Sequence, residues 1–304
     1  MDKNNVGFSG AGLPGLSGVY TLKGCVCRQS APIDAVATAL APWQPGEVVV
    51  RGGVYAFTQM CKLYRKFLGV TIGGHYLVQD FYEEGDGKYT CAYTVIGESS
   101  VKLTDFGYVN RRITGAYLVW NPEGQKVQES FFHNGTLQGK SRIWYLSGQL
   151  ASEALYLNGR RESLWTEWYE NGGKKTEGTY VNGLQQGVWT DWYENGQVMA
   201  ECEYYAGQQQ GLCAEWDTEG NKICEGSFLQ GQFHGLWTSY WYESGQKKEE
   251  GLYYKGKEVG TWYKWDQAGM QIWQKNYGEP HPLEHEGGGG VPAGVLIRMP
   301  AGGD

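Results

Sequence analysis

Few aliphatic residues, no long apolar run and a shortage of positive charge mark this 304-residue chain. Leu, Ile and Val are sparse. Stacked layers of aliphatic helix, as in a helix bundle or a doubly wound nucleotide-binding enzyme, therefore have too little to bury. No run of 18 apolar residues occurs, so no segment reads as a membrane-spanning helix. With 26 basic against 33 acidic residues the formal charge is −7. That balance argues against nucleic acid as a partner and suits a basic protein. Residues 1–18 are polar and rich in Gly and Ser, without the basic and apolar regions of a secretory leader. A cytoplasmic protein is expected, with a periplasmic or lipoprotein-anchored one as the alternative where a leader has been trimmed.

The seven cysteines are odd in number, and Cys25-Val-Cys27 is too close for an easy disulfide. No Cys-x-x-Cys or His cluster completes a zinc site. Reduced, structural thiols are expected, with neither metal nor cofactor. What the chain has in abundance is glycine (47) and aromatic side chains (13 Trp, 22 Tyr, 9 Phe). That mixture suits many short strands joined by glycine turns.

A period organises these residues. Gly135, Gly159, Gly183, Gly207, Gly231 and Gly256 are spaced 24, 24, 24, 24 and 25 residues apart. A second Gly follows four residues on in five of these units, as at Gly187. Trp165, Trp189, Trp237 and Trp262 come at six, where Ser141 and Cys213 are exceptions. Trp144, Trp168, Trp192, Trp216 and Trp265 come at nine. In the fifth unit, with one inserted residue, Tyr240 falls at nine and Trp241 at ten. A turn glycine and a returning aromatic complete each unit, as in Gly196 and Tyr204. Arg111 begins an earlier unit in register and Gly87 a fainter one, so about eight units span 85–279 and hold every tryptophan but Trp43.

Each unit reads as two strands. Residues 187–193 alternate, Glu194-Asn195-Gly196 turns, and residues 198–205 run back. Alternation puts Trp189, Asp191 and Tyr193 on one face, and Val188, Thr190 and Trp192 on the other. A lone hairpin cannot shelter aromatics on both faces, whereas stacked neighbours can. The expectation is an all-β chain: a single-layer, elongated antiparallel sheet of stacked 24-residue hairpins, on the order of 80 Å long at about 10 Å per unit.

The pattern NG-x3-G-x-W-x2-WY-x-N-G-Q/K, as in residues 182–197, resembles the MORN repeat variant of YwqK-type antitoxins and bacterial immunity proteins. The resemblance covers residues 85–279. It implies a non-catalytic binder that neutralises a cognate toxin, such as a type VI secretion effector or phospholipase. Residues 1–84 lack the period and read as an N-terminal tether and cap. Within them Ser30 would cap a short helix over 32–40, and strands are expected at 47–50 and 75–82. Residues 280–304 read as a flexible Gly/Pro tail, with the apolar stretch 295–297 inside it.

Apparent catalytic motifs fail on their context. Residues 10–15 fit G-x-G-x-x-G, but no strand precedes them and Pro14 spoils the required helix. Residues 135–141 are one residue short of a P-loop, and the repeat already explains their glycines. Residues 281–285 fit H-x-x-E-H, yet prolines and glycines forbid a helix there. No G-x-S-x-G elbow is present, and an enzyme is not expected.

The candidate partner-binding residues fall into three groups. Tyr145, Tyr169, Tyr193, Asp217, Tyr242 and Asp266 follow the second Trp row, and their aromatic-to-acid variation suits a surface that adjusts to a partner. Glu129, Glu153, Glu177, Glu201, Glu225 and Glu250 form a carboxylate ladder that would attract a basic protein. Lys126, Lys174, Lys222 and Lys247, three residues earlier, would screen much of it. Gln209 and His234 lie near turn tips that vary between units. The preferred partner is a cognate protein toxin, bound by a monomer or weak oligomer. Membrane contact through Lys62, Arg65 and Lys66, as in a lipid-associated scaffold, is the less favoured alternative.

Overall fold

The computed structural model describes residues 41–57, 59–104, 106 and 112–279. The helix expected at 32–40, the motifs at 10–15 and 281–285, Cys25, Cys27 and the stretch 295–297 lie outside the described residues. Within them the protein is all-β, with 20 strands in one open antiparallel sheet and one four-residue helix. The chain divides into two compact units, 1–162 and 163–304.

In the first unit, β1 (Val48–Ala56), β2 (Gln59–Val70) and β3 (Tyr76–Tyr82) form a meander that β4 (Tyr93–Val95) continues. The helix α1 (Glu98–Val101) follows. Two repeat hairpins come next: β5 (Ile113–Trp120) with β6 (Lys126–His133), to which β7 (Thr136–Leu137) also pairs, then β8 (Gly139–Trp144) with β9 (Leu150–Leu157). The faint unit from Gly87 is not a hairpin, because only isolated bridges (Lys88 to Phe81 and Thr90 to Val119) precede the three-residue β4. Here, rather than in the later repeats, lies the hydrophobic core. Phe67, Val78, Tyr93 and Ile113 bury alternate positions of β2 to β5 and meet Trp43, Phe106 and Phe132.

A charged pair is sealed inside this core. Arg65 and Asp80 are both fully buried, and Arg65 Nε donates to Asp80 Oδ1 at 2.6 Å. Arg65 Nη1 donates to the carbonyls of Ser100, Val101 and Leu103, fastening α1 and the chain after it to β2. Tyr93 Oη donates to Asp80 Oδ2 at 2.7 Å, and the Phe106 ring lies 4.8 Å from the guanidinium. Lys66 leans on the rings of Tyr64 and Phe81. Of the three charges expected as a patch, Arg65 is therefore not at the surface, while Lys62 is exposed and Lys66 half-buried. Strand alternation turns Arg65 inward to meet Asp80, its register partner on β3.

β10 (Arg160–Trp168) spans the division between the units. The second unit continues with β11 (Lys174–Val181), β12 (Leu184–Trp192), β13 (Val198–Tyr205), β14 (Gln208–Trp216) and β15 (Lys222–Leu229). Then come β16 (Gln232–Phe233), β17 (Gly235–Tyr240), β18 (Lys247–Tyr254), β19 (Lys257–Trp265) and β20 (Gln271–Asn276). Successive strands pair antiparallel, except that β16 and β17 both pair with β15.

Local chemistry sets this rhythm. Asn182 (φ 53°) and Gly183 (φ 84°) take the two positive-φ places of a tight turn between units. Ala206 holds Asn182's place at φ 48°, where a Cβ is strained and an Asn side chain is better tolerated. Ala206→Asn is expected to stabilise the protein by about 1 kcal/mol, read as a higher urea midpoint with an unchanged slope. Each second strand starts with a bulge. Trp192 pairs with Val198, but Asp191 pairs with Ala200, leaving Met199 over.

Candidate partner-binding surface

The two faces of the second unit do different things. On one, three of the tryptophans at position six, Trp189, Trp237 and Trp262, lean over a glycine of the preceding strand. A Cβ built on Gly178 would stand 2.1 Å from Trp189, on Gly226 2.1 Å from Trp237, and on Gly251 2.0 Å from Trp262. These glycines precede their tryptophans by 11 residues, a spacing that would have found them in the sequence. At the same spacing small residues also meet small ones. In the first unit Ser130 and Ser141 share a 2.9 Å hydrogen bond, and in the second Cys202 and Cys213 form a disulfide. The expectation of reduced thiols fails for this pair, since register sets the two cysteines directly opposite each other on β13 and β14. Cys61, Cys91 and Cys224 are buried. Burial, and then the neighbouring Glu215, push the Cys224 thiol up to about 12.

This glycine–tryptophan face opens into a cavity of about 240 Å³. Its walls are the rings of Trp165, Tyr180, Trp189 and Tyr204. Trp165 and Trp189 lie 5.5 Å apart, and Tyr180 meets Trp189 edge-on at 5.0 Å. Asp191 supplies the carboxylate, oriented by a 2.7 Å hydrogen bond from the Thr176 hydroxyl. No cation pairs with Asp191 among the described residues.

The other face carries the acid ladder. In the first unit Lys126 pairs with Glu129 at 2.7 Å, while Lys140 and Arg142 both reach Glu153. Burial opposes ionisation of Glu153, but the hydrogen bonds and charges of Arg142 and Lys140 outweigh it and lower its pKa. In the second unit Lys174 pairs with Glu177 at 2.8 Å, Lys222 with Glu225 at 2.7 Å, and Lys247 with Glu250. A three-residue spacing along a regular strand would point the two side chains to opposite faces. The bulge after each turn restores them to one face, so Glu129, Glu177, Glu225 and Glu250 are screened along their own strands, whereas Glu153 is screened from the neighbouring strand. Lys222 and Tyr240 hold Glu225 below its ordinary pKa, and burial with Glu225 pushes Tyr240 up to about 12. Glu201 is exposed and has no cation partner among the described residues.

The residues after the second Trp row serve mainly as ties between hairpins. Tyr169 Oη donates to the Trp192 carbonyl at 2.7 Å, and Tyr193 Oη to the Trp216 carbonyl at 2.9 Å. Asn171 and Asn195 reach the carbonyls of Glu194 and Thr218 in the same stepwise manner. Asp217 is buried and accepts from the N–H groups of Glu219 and Asn221, and Asp266 from those of Ala268 and Met270. Asp217 is thus a turn residue rather than a surface one, because its carboxylate is spent on its own loop. Tyr145 is half-buried at the corresponding turn of the first unit.

Tyr242 is displaced from its expected place. The backbone N–H of Trp241 bonds to the carbonyl of Gln246 as that of Tyr193 does to Gln197, and Trp241 Nε1 ties to the Trp265 carbonyl. The inserted residue lies in the turn, so Trp241 holds the Tyr193 position and Tyr242 stands exposed beyond it. Gln209 pairs with Tyr204 within β14. His234 packs against Tyr254 at 5.3 Å, and its buried Nδ1 has no hydrogen-bond partner. Neither sits at a turn tip.

The hairpin period and the two unlike faces define a β-hairpin repeat protein. The family model of the MORN repeat variant matches residues 137–158, 161–182 and 185–204. The last of these segments contains Trp189, Asp191 and Glu201. Among curated proteins, none matches the chain. No helix among the described residues is long and apolar enough to cross a membrane.

Proposed function

We propose that this is a non-catalytic protein-binding module: an immunity or antitoxin protein that holds a cognate bacterial toxin and occludes its active or essential surface. The observation that carries the proposal is the hairpin of residues 182–205. There Asp191, beside an aromatic cavity on one face, and Glu201 on the other are both without a cation partner among the described residues. Unneutralised carboxylates beside aromatic rings suit a basic protein surface, and the net charge of −7 would steer such a partner in. The resemblance of the repeat to YwqK-type antitoxins supports the narrower role.

The test is a tagged pull-down from native cells with mass spectrometry, searched against the products of neighbouring genes. A stoichiometric complex with one adjacent effector, weakened at least tenfold by Asp191→Asn, is the expected result. Recovery of envelope lipid without a protein partner would overturn the proposal in favour of a membrane-associated scaffold.

A further inference from the structure

Of the six glutamates in the acid ladder, Glu201 alone has no cation partner among the described residues. In the first unit, Lys126 Nζ lies 4.1 Å from the Trp144 ring centre while pairing with Glu129. In the second, Lys174 lies 5.5 Å from Trp192 and pairs with Glu177, and Lys222 lies 5.7 Å from Trp216 and pairs with Glu225. Lys247 lies 5.9 Å from Trp265 and pairs with Glu250. The same frame, a glutamate beside an indole, thus holds an alkylammonium four times within this chain.

In residues 182–205 the lysine's place is taken by Val198, opposite Trp192. The bulge is kept, so Glu201 projects on the same face as its counterparts. Its cross-strand neighbours, Thr190 and Ala214, bring no charge. Glu201 is therefore an exposed carboxylate whose register partners, Thr190 and Ala214, stand two residues before Trp192 and Trp216 on the same face, in a frame that sister hairpins complete from within by a lysine.

We propose that this notch receives a lysine side chain of the protein partner, its ammonium taking the place that Lys174, Lys222 and Lys247 occupy in the sister hairpins. This rests on the protein-binding function proposed above and names the chemistry of one contact. The attraction combines the carboxylate with the indole face, and the sister sites fix the choice of cation. Val198→Lys supplies an internal competitor by placing at 198 the residue that stands at 174, 222 and 247 in the sister hairpins.

The probe is acetyl-Gly-Lys-Gly-amide, titrated into the full-length protein while the indole N–H signals of Trp192 and Trp216 are followed by NMR. Saturable shifts are expected with this peptide, at least fivefold smaller with its Nε-acetyl-lysine counterpart, and lost in both Val198→Lys and Glu201→Gln. Glu243→Gln, an exposed turn substitution, should leave them unchanged. Equal shifts from the acetylated peptide, or shifts that persist in folded Val198→Lys or Glu201→Gln protein, would overturn the notch. Should Val198→Lys fail to fold, the isosteric Glu201→Gln carries the decision. The peptide titration decides the notch and the pull-down decides the function, so the two failures are distinguishable.

Discussion

Asp80→Ala is expected to destabilise the first unit by about 3–5 kcal/mol, because it strands a fully buried guanidinium. Arg65 would retain the carbonyls of Ser100, Val101 and Leu103 but lose its carboxylate partner, and Tyr93 Oη would lose an acceptor in the same step. Burial permits no water to take over, so the loss far exceeds that of an exposed pair such as Lys102–Glu98, which is worth at most about 1 kcal/mol. Urea unfolding followed by tyrosine signals of the first unit reads the effect. The companion change is instructive. Replacing both partners together, Arg65→Met with Asp80→Leu, should recover most of the loss, since well-packed apolar residues avoid the desolvation that the charges incur. A loss below about 1 kcal/mol for Asp80→Ala would mean that Arg65 escapes to solvent, contrary to the packing described.

Trp262→Ala should cost the second unit about 3–5 kcal/mol. Trp262 is among the largest fully buried side chains of the protein, in a unit whose sheet has few other buried groups. Its ring lies over Gly251, meets Tyr253 edge-on at 4.9 Å, and donates through Nε1 to the Leu252 carbonyl. The glycine beneath makes a second, sharper test. Gly251→Ala puts a methyl 2.0 Å from the indole and should cost about 1–3 kcal/mol in the parent, yet little in the Trp262→Ala background, where the space is free. Equal costs in both backgrounds would show that the two residues are not coupled.

Much of the candidate surface could be read from residue spacing, and the misses share a cause. The rows of Trp189 and Trp192 and the acid ladder all follow the 24-residue ruler. Tyr169 and Tyr193 were found as a row, but their role as ties to the next hairpin depends on where a hydroxyl meets a carbonyl 23 residues away. Tyr242 was misplaced because an insertion shifts numbering without saying which residue leaves the ladder. The Lys–Glu pairing along a strand was hidden because simple alternation has no bulges.

The sequence by itself determined the period, the hairpins and the all-β class, since these rest on local terms: positive φ at Asn-Gly, alternation, and aromatic side chains that only stacked neighbours can cover. Tertiary structure decided the rest. It set Cys202 against Cys213, turned Arg65 from an apparent surface charge into a buried partner of Asp80, and left Glu201 without the lysine its neighbours have. Each of these depends on register, and register is fixed by turns and bulges that together decide which distant residue stands opposite.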